Sequence, residues 1–420
     1  MALIDFKVLP GIDKQDTTSG AENRWVDCDN VRFRYNLPEK VGGWSSLVTD
    51  TIVGVARRQF AFVDLDGNRY IAIGTDKFLL IYFEGQLYDV TPLKTTLTSC
   101  TIATTNASAI CSITKASHGL SAGDIVLLDN VTLPVGTGYT NSDFEDKLFQ
   151  VTSVTSSSVF TITQSSNATA TVSTGGSLEV KPYEQVGPAE QSYGYGWGID
   201  SWGSGAWGEA ASASDVSLEP GLWSLSNFGQ VLVATIANGK TFTWNAGDAA
   251  RLTTRASTTT SGFQTTNNPT ATRVSLVSPT TRHLIHLGTE TTIGDTSTQD
   301  DMFIRFSDQE DINDYTPTAI NSAGTQRLQD GTKIIGSLKA KETILVWTDN
   351  ALYTMKFIGA PFTFGFEQVG TNCGLIGKNA AIEIDGAAFW MSNNGFFMFD
   401  GTVKSLPCSC LLYTSPSPRD

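Results

Sequence analysis

The sequence predicts an all-β chain, built as a β-propeller-like ring of repeated antiparallel hairpins with a small β domain inserted into it. Three observations lead there. Thr, Ser and Gly fill the stretches between apolar runs, and no long run of Leu, Glu, Lys and Ala at helical spacing occurs in the 420 residues. A self-similar unit of about sixteen residues recurs along the chain. A segment at 95–180 interrupts that recurrence with alternating patterns of its own.

The recurring unit reads "YIAIGTDKFLLIYFEG" from Tyr70, "VLVATIANGKTFTWNAG" from Val231, "ILVWTDNALYTMKFIG" from Ile344 and "AAFWMSNNGFFMFDG" from Ala387, with a looser copy split between "HLIHLGTE" and "DMFIRFSD". Each copy is an apolar, β-branched run, a polar turn and an aromatic run ended by Gly or Asp, which is the pattern of a two-stranded hairpin. A lone hairpin is marginal in water, so five in series need a common core. "TIVGVARRQFAFVD" before the first copy and "QLYDVTP" after it supply third and fourth strands, completing the four short antiparallel strands of a propeller blade. A β-sandwich of irregular hairpins is the alternative architecture.

The expected domains are 1–94 as the first part of the propeller, 95–180 as an inserted barrel or sandwich, and 181–409 as the rest of the propeller. The insert carries "DIVLLDNV", "KLFQVTSV" and "VFTITQ", joined by Gly, Ser and Asn turns. Directly after it comes "QSYGYGWGIDSWGSGAWGEA", residues 191–210, rich in the residues most costly to leave wet and most costly to order. Such a stretch suits an adhesive loop, and Tyr193, Tyr195, Trp197, Trp202 and Trp207 are the candidate assembly contacts. The final "CLLYTSPSPRD", residues 410–420, matches translated read-through of a transposase-type library adapter, so the natural protein is expected to continue differently beyond Ser409, leaving this chain truncated at its C-terminus with an open sheet edge or an incomplete ring.

Charge and motifs exclude several functions. With 28 Lys and Arg against 42 Asp and Glu, a net charge of −14 and no basic run, wrapping of nucleic acid by phosphate neutralisation is not expected. "MALIDFKVLPGID" lacks a basic n-region followed by an apolar stretch, and no window is apolar enough to span a bilayer, so a soluble chain not exported by the usual route is expected. The cysteines, Cys28, Cys100, Cys111, Cys373, Cys408 and Cys410, contain no C-x-x-C pair and suit a reducing compartment. No H-E-x-x-H, G-x-S-x-G or P-loop occurs, and the repeated S-x-D-x-G-x-T-W box of sialidase propellers is missing. His283 and His286 in "TRHLIHLG" point to opposite faces of a strand and do not make joint ligands, while His118 before a Gly suits a turn. The enzymatic candidates are carboxylates in "SDQEDINDYTP", namely Asp308, Glu310, Asp311 and Asp314, of the type that flank a glycosidic bond, but clustered acids on a loop are usually only solvated. "DLDGN", from Asp64 to Asn68, suits a hairpin turn better than a calcium loop. The expectation is no catalysis, no cofactor and no metal.

The run "RFSDQEDINDYTP", followed by "LQDGTKIIGSLKAKETILVWTDNALYTMKFIGAPFTFGFEQVGTNCGLIGKNAAIEIDGAAFWMSNNGFFMFDGTVKSLPC", resembles the packaged-DNA stabilisation and tail-nozzle (head-completion) proteins of short-tailed bacteriophages. "LPGIDKQDTTSGAENRWVDCDNVRFRYNLPEKVGGW" resembles the opening of the same family, and "HGLSAGDIVLLDN" resembles a small β module inserted in phage structural proteins. The resemblance implies a virion protein with a propeller core, assembled in the host cytoplasm as a homo-oligomeric ring beside a portal or adaptor and other tail proteins. There it closes the filled head and lets viral DNA leave without sequence-specific binding, and an acidic channel would repel phosphate as the DNA slides. Two other readings stand beside it: a carbohydrate-binding or glycan-cleaving propeller, as in an adhesin or tailspike, and a generic interaction propeller.

Overall fold

The structure is a computed structural model that describes residues 8–13, 17–21, 23–43, 45–48, 50–190, 219–260, 263–264, 267–341 and 343–406. Tyr193, Tyr195, Trp197, Trp202 and Trp207 lie outside the described residues, as does 410–420. Contacts divide the chain into two compact units, 1–49 with 405–420, and 50–404. The first unit holds a short hairpin, β1 (Val31–Arg34) and β2 (Leu37–Lys40), turned by Tyr35 and Asn36 at positive φ, with Arg32 paired to Glu39 directly across it at 3.1 Å.

The larger unit begins its first blade with β3 (Ala56–Val63), β4 (Arg69–Thr75), β5 (Leu79–Phe83) and β6 (Gln86–Asp89). A closed six-stranded barrel follows, made by β7 (Leu97–Thr104), β8 (Ile110–Thr114), β9 (Ile125–Thr132), β10 (Lys147–Ser156), β11 (Val159–Thr163) and β12 (Val172–Pro182). Closure leaves the barrel no free edge, and its inward residues, among them Ile102, Ile113, Val126, Val151, Phe160 and Val180, form one core.

The second blade is β13 (Trp223–Phe228), β14 (Val231–Ile236) and β15 (Thr241–Asn245), with Ser257 bridging Thr243 in place of a full fourth strand and a short pair, β16 (Thr259–Thr260) and β17 (Phe263–Gln264), beyond it. The third is β18 (Thr272–Val277), β19 (Leu284–Thr289), β20 (Phe303–Phe306) and β21 (Gly324–Arg327), and the fourth β22 (Ile334–Lys339), β23 (Ile344–Thr348), β24 (Leu352–Gly359) and β25 (Thr363–Gly370). The fifth is β26 (Ala381–Ile384), β27 (Ala387–Ser392), β28 (Gly395–Phe399) and β29 (Val403–Leu406). The fold is thus all-β, a five-bladed propeller-like ring with a small closed barrel, and the sandwich alternative is set aside. Every recurring sixteen-residue unit forms the second and third strands of a blade. The first strands follow one another through the ring, β13 beside β3, β18 beside β13, β22 beside β18 and β26 beside β22.

A turn device recurs in the first and fourth blades. Thr75 Oγ1 accepts from the amides of Lys77 and Phe78 at 3.1 and 2.7 Å, and Thr348 Oγ1 from those of Asn350 and Ala351 at 3.1 and 2.8 Å. The next residue reaches back to the entry of the first strand: Asp76 accepts from Val55 N at 2.6 Å, Asp349 from Thr332 N at 2.8 Å. In both blades a glycine at positive φ, Gly54 at +90° and Gly331 at +119°, precedes the donor, and a Cβ there would lie 2.4 or 2.7 Å from the carboxylate oxygen. A Gly followed about twenty residues on by Thr-Asp is therefore one blade's local signature.

Candidate functional site: the axial cavity

Two cavities lie where the first strands converge. One, of about 180 Å³, is lined by Arg58 and Phe60 of the first blade, Ser224 and Leu225 of the second, Ser275 of the third, Lys339 of the fourth, and Lys378 in the turn before the fifth. The other, of about 300 Å³, is lined by Glu219, Arg273, Lys333 and again Lys378. All five blades thus supply atoms to one axial region.

Local structure explains each placement. A bulge at Arg57 separates the pairs Ala56 with Thr75 and Arg58 with Gly74, re-aiming the two arginines: Arg57 donates to Gly221 O at 2.8 Å, while Arg58 donates to Asn379 Oδ1 at 3.2 Å and lines the cavity. A second bulge, between Ile334 and Gly336 on β22, precedes Lys339. Gly336 gives the Lys378 turn its room, since a Cβ there would meet Leu375 Cδ2 at 2.9 Å and Lys378 O at 3.2 Å.

The lysines meet hydroxyls, not carboxylates. Lys339 Nζ donates to Ser226 Oγ and Lys378 Nζ to Ser224 Oγ, each at 2.8 Å. Among the described residues no ion pair includes Arg58, Lys339 or Lys378, and Arg58 Nε is buried without a hydrogen-bond partner. Among the described residues Glu219 is the one acid lining either cavity; it accepts two bonds from Arg273 at 2.7 and 2.9 Å and one from Lys333 at 2.8 Å. Burial, with Arg58 close by, lowers the Lys339 ammonium to about 8. Burial likewise lowers Lys378 to about 7, helped by Arg58 and Arg273 and opposed by Glu219. Among the described residues lining the propeller axis, cations thus outnumber acids, in contrast to the net acidity of the chain.

The carboxylates of "SDQEDINDYTP" are occupied in holding their loop. Asp308 accepts from the Ser322 amide at 2.8 Å, Asp311 from the Asn313 amide at 2.8 Å, and Asp314 from the Thr316 amide at 3.0 Å and the Asn321 side chain at 2.8 Å. Glu310 lies 3.6 Å from Arg282 at the surface. Asp64 likewise gathers the amides of Asp66 and Asn68 at 2.9 and 2.8 Å, so "DLDGN" is a hairpin turn.

The histidines are separate and structural. His118 Nδ1 accepts from Leu120 N at 3.0 Å in a barrel turn. His283 joins Thr281 at 2.7 Å and Ser322 at 3.0 Å, and His286 joins Thr272 at 3.2 Å and Tyr315 at 2.9 Å. Asp129, Glu145 and Asp146 bring oxygens within 4.8 Å of one another on the barrel, but Lys181 pairs with Asp129, and the Asn130 and Val131 amides donate to Glu145 at 3.1 and 2.7 Å. Cys28, Cys100, Cys111 and Cys373 are free thiols. Among the described residues no helix is long and apolar enough to cross a membrane.

Sequence reasoning missed the axial cations because Arg58, Arg273, Lys333, Lys339 and Lys378 are scattered through the chain with no run or spacing to mark them. The one available signal was their position on the first strand of a blade or in the turns leading into one.

No family model matches the chain, and no curated protein does. Among solved structures, it is similar to the phage phi92 endosialidase, at 15% identity over 77% of this chain and 50% of that one, with a TM-score of 0.24. The chain spans half the length of that protein. It is also similar to BBS1N in complex with ARL6DN, at 8% identity over 84% and 85% of the two chains and a TM-score of 0.30. The computationally designed Ika8 protein matches at 10% identity over 86% and 89%, with a TM-score of 0.26.

Proposed function

We propose that this chain is a virion structural protein of a short-tailed bacteriophage, placed at the head-to-tail junction, where it closes the filled head, stabilises the packaged DNA and forms part of the channel through which DNA is ejected. The observation that carries this reading is the resemblance of 305–317 and 328–408 to the packaged-DNA stabilisation and tail-nozzle family, over a stretch that spans the end of the third blade and the fourth and fifth. A ring with an inserted barrel agrees with that family's implied architecture. The commitment of Asp308, Asp311 and Asp314 to their own loop agrees with a protein that does no hydrolysis.

In this reading the subunits form a homo-oligomeric ring on a portal or adaptor, and DNA passes through the opening between subunits. A single propeller's axial cavities, about 300 and 180 Å³, are far too small for a duplex whose major groove alone is about 12 Å wide. Tyr193, Tyr195, Trp197, Trp202 and Trp207 serve as contacts between neighbouring subunits.

A nonsense mutation in the phage gene tests the proposal. Heads that fill with DNA and then lose it, without completed tails, are expected, and portal or terminase genes should lie alongside. Complete, DNA-filled virions that fail only to adsorb to cells would overturn it in favour of a glycan-binding propeller. Within the phage, changing Trp197, Trp202 and Trp207 together to Ser is expected to block ring assembly on the portal.

A further inference from the structure

We propose that the axial cavity of the propeller binds a small multivalent oxyanion of the sulfate or phosphate class, held by Arg58, Lys339 and Lys378. The three cations come from the first strand of the first blade, the first strand of the fourth blade and the turn before the fifth, and they line one cavity of about 180 Å³. Among the described residues no carboxylate lines that cavity, and Ser224 and Ser275 lie in its wall. The volume is below the roughly 300 Å³ at which pockets for drug-sized molecules begin, and it suits an ion rather than a sugar or nucleotide.

Three converging cations that, among the described residues, share their cavity with no carboxylate repel one another at low effective dielectric. An oxyanion relieves that repulsion and accepts charge-assisted hydrogen bonds from all three. The buried Arg58 Nε, which has no hydrogen-bond partner among the described residues, is a further donor available to it. Lys378 also lines the second cavity, where Glu219 pairs with Arg273 and Lys333; the acid is engaged by those two cations on its own side and offsets the charge of Lys378 only in part. Ser224 and Ser226 hold the two ammonium groups in place, each through one hydrogen bond of 2.8 Å. The inference is independent of the virion reading.

Sulfate is the probe, because it stays a dianion across the range in which the lysines titrate. The groups facing Lys339 and Lys378 are Arg58, Arg273, Lys333 and Glu219, and the two lysines, lowered to about 8 and about 7, change protonation near neutrality. Calorimetric titration and thermal melts of the whole chain, against sodium chloride at matched ionic strength, should show saturable binding and a higher Tm with sulfate. Affinity should fall about tenfold or more between about pH 6 and pH 9, as Lys378 and then Lys339 lose their protons. The double variant Lys339→Met/Lys378→Met should lose the sulfate effect while holding or raising its own Tm in chloride. Arg58→Gln gives the same test should the double variant not fold, and Lys404→Gln, at a surface pair with Asp400, should change nothing. A sulfate shift equal to that of chloride, or one retained in full by the variants at the axis, would overturn the proposal.

Discussion

The seam between the fourth and fifth blades and the seam between the fifth and first are built differently. In the former, Leu345, Trp347 and Leu352 pack with Cys373, Leu375, Ala388 and Trp390, and the indoles of Trp347 and Trp390 meet edge to face at 5.5 Å. At the latter, Asn379 donates to Arg57 O at 3.0 Å and accepts from Arg58 at 3.2 Å, and among the described residues no apolar cluster joins the two sheets. Burial along the strands reflects this. Strands β14, β19 and β23, in blades flanked by apolar seams on both sides, are buried at every position, whereas β4 and β27, in the end blades, alternate between buried and more exposed positions. Consecutive blades are held by the hydrophobic effect, and the ring is closed by hydrogen bonds. The first–fifth seam should therefore open first.

The largest expected effect comes from emptying an apolar seam. Trp347→Ala removes a fully buried indole and should cost about 3–5 kcal/mol in urea unfolding. Because Trp347 Nε1 is buried without a hydrogen-bond partner among the described residues, Trp347→Phe should cost distinctly less than the lost volume suggests. A Trp347→Phe loss as large as the lost volume suggests would show that this orphaned donor carries no penalty.

Acid should act next, and also on the interior. His286, wholly buried between β18 and Tyr315, is held down to about 3 by burial and by Arg305, against about 6.5 in an unfolded chain. Below about pH 6.5 the unfolded state binds the proton and the folded state does not, so stability falls as pH falls, by up to about 1.4 kcal/mol per unit until about pH 3. Burial of His283 adds to the loss with the same sign. His286→Gln should flatten the slope measured by urea unfolding between about pH 7 and pH 5. An unchanged slope would move the acid sensitivity elsewhere.

The smallest effect should come from the polar seam. Asn379→Ala should cost about 0.5–1.5 kcal/mol and hasten amide hydrogen exchange in β3 and β26 while leaving β23 protected. Exchange that quickens throughout the ring would mean that the five blades open as one unit and that the two kinds of seam are not energetically distinct.

Much of the ring was legible in the sequence because a blade's middle hairpin is local. Its apolar run, Thr-Asp turn and aromatic run lie within about sixteen residues, and the Thr75 and Thr348 turns use hydrogen bonds spanning two or three residues. "YIAIG", "ILVWT" and "AAFWM" announce strands equally well, yet nothing in them reveals that β23 is covered on both faces while β4 and β27 are not. The turn role of His118 and the loop role of Asp64 were legible for the same local reason.

What only the tertiary structure decided is the axis. Alternation along a strand shows that Arg58 and Phe60 share a face, but not that this face meets Lys339 and Lys378, which lie some 280 to 320 residues further along the chain. Net charge is a sum over the whole surface, whereas the potential in a cavity depends on which few side chains converge there. An acidic chain could therefore hold a cationic centre that composition would never suggest. The sequence by itself determined the strands and their turns through contacts between near neighbours; the ring brought together charges whose proximity exists only once five blades have closed.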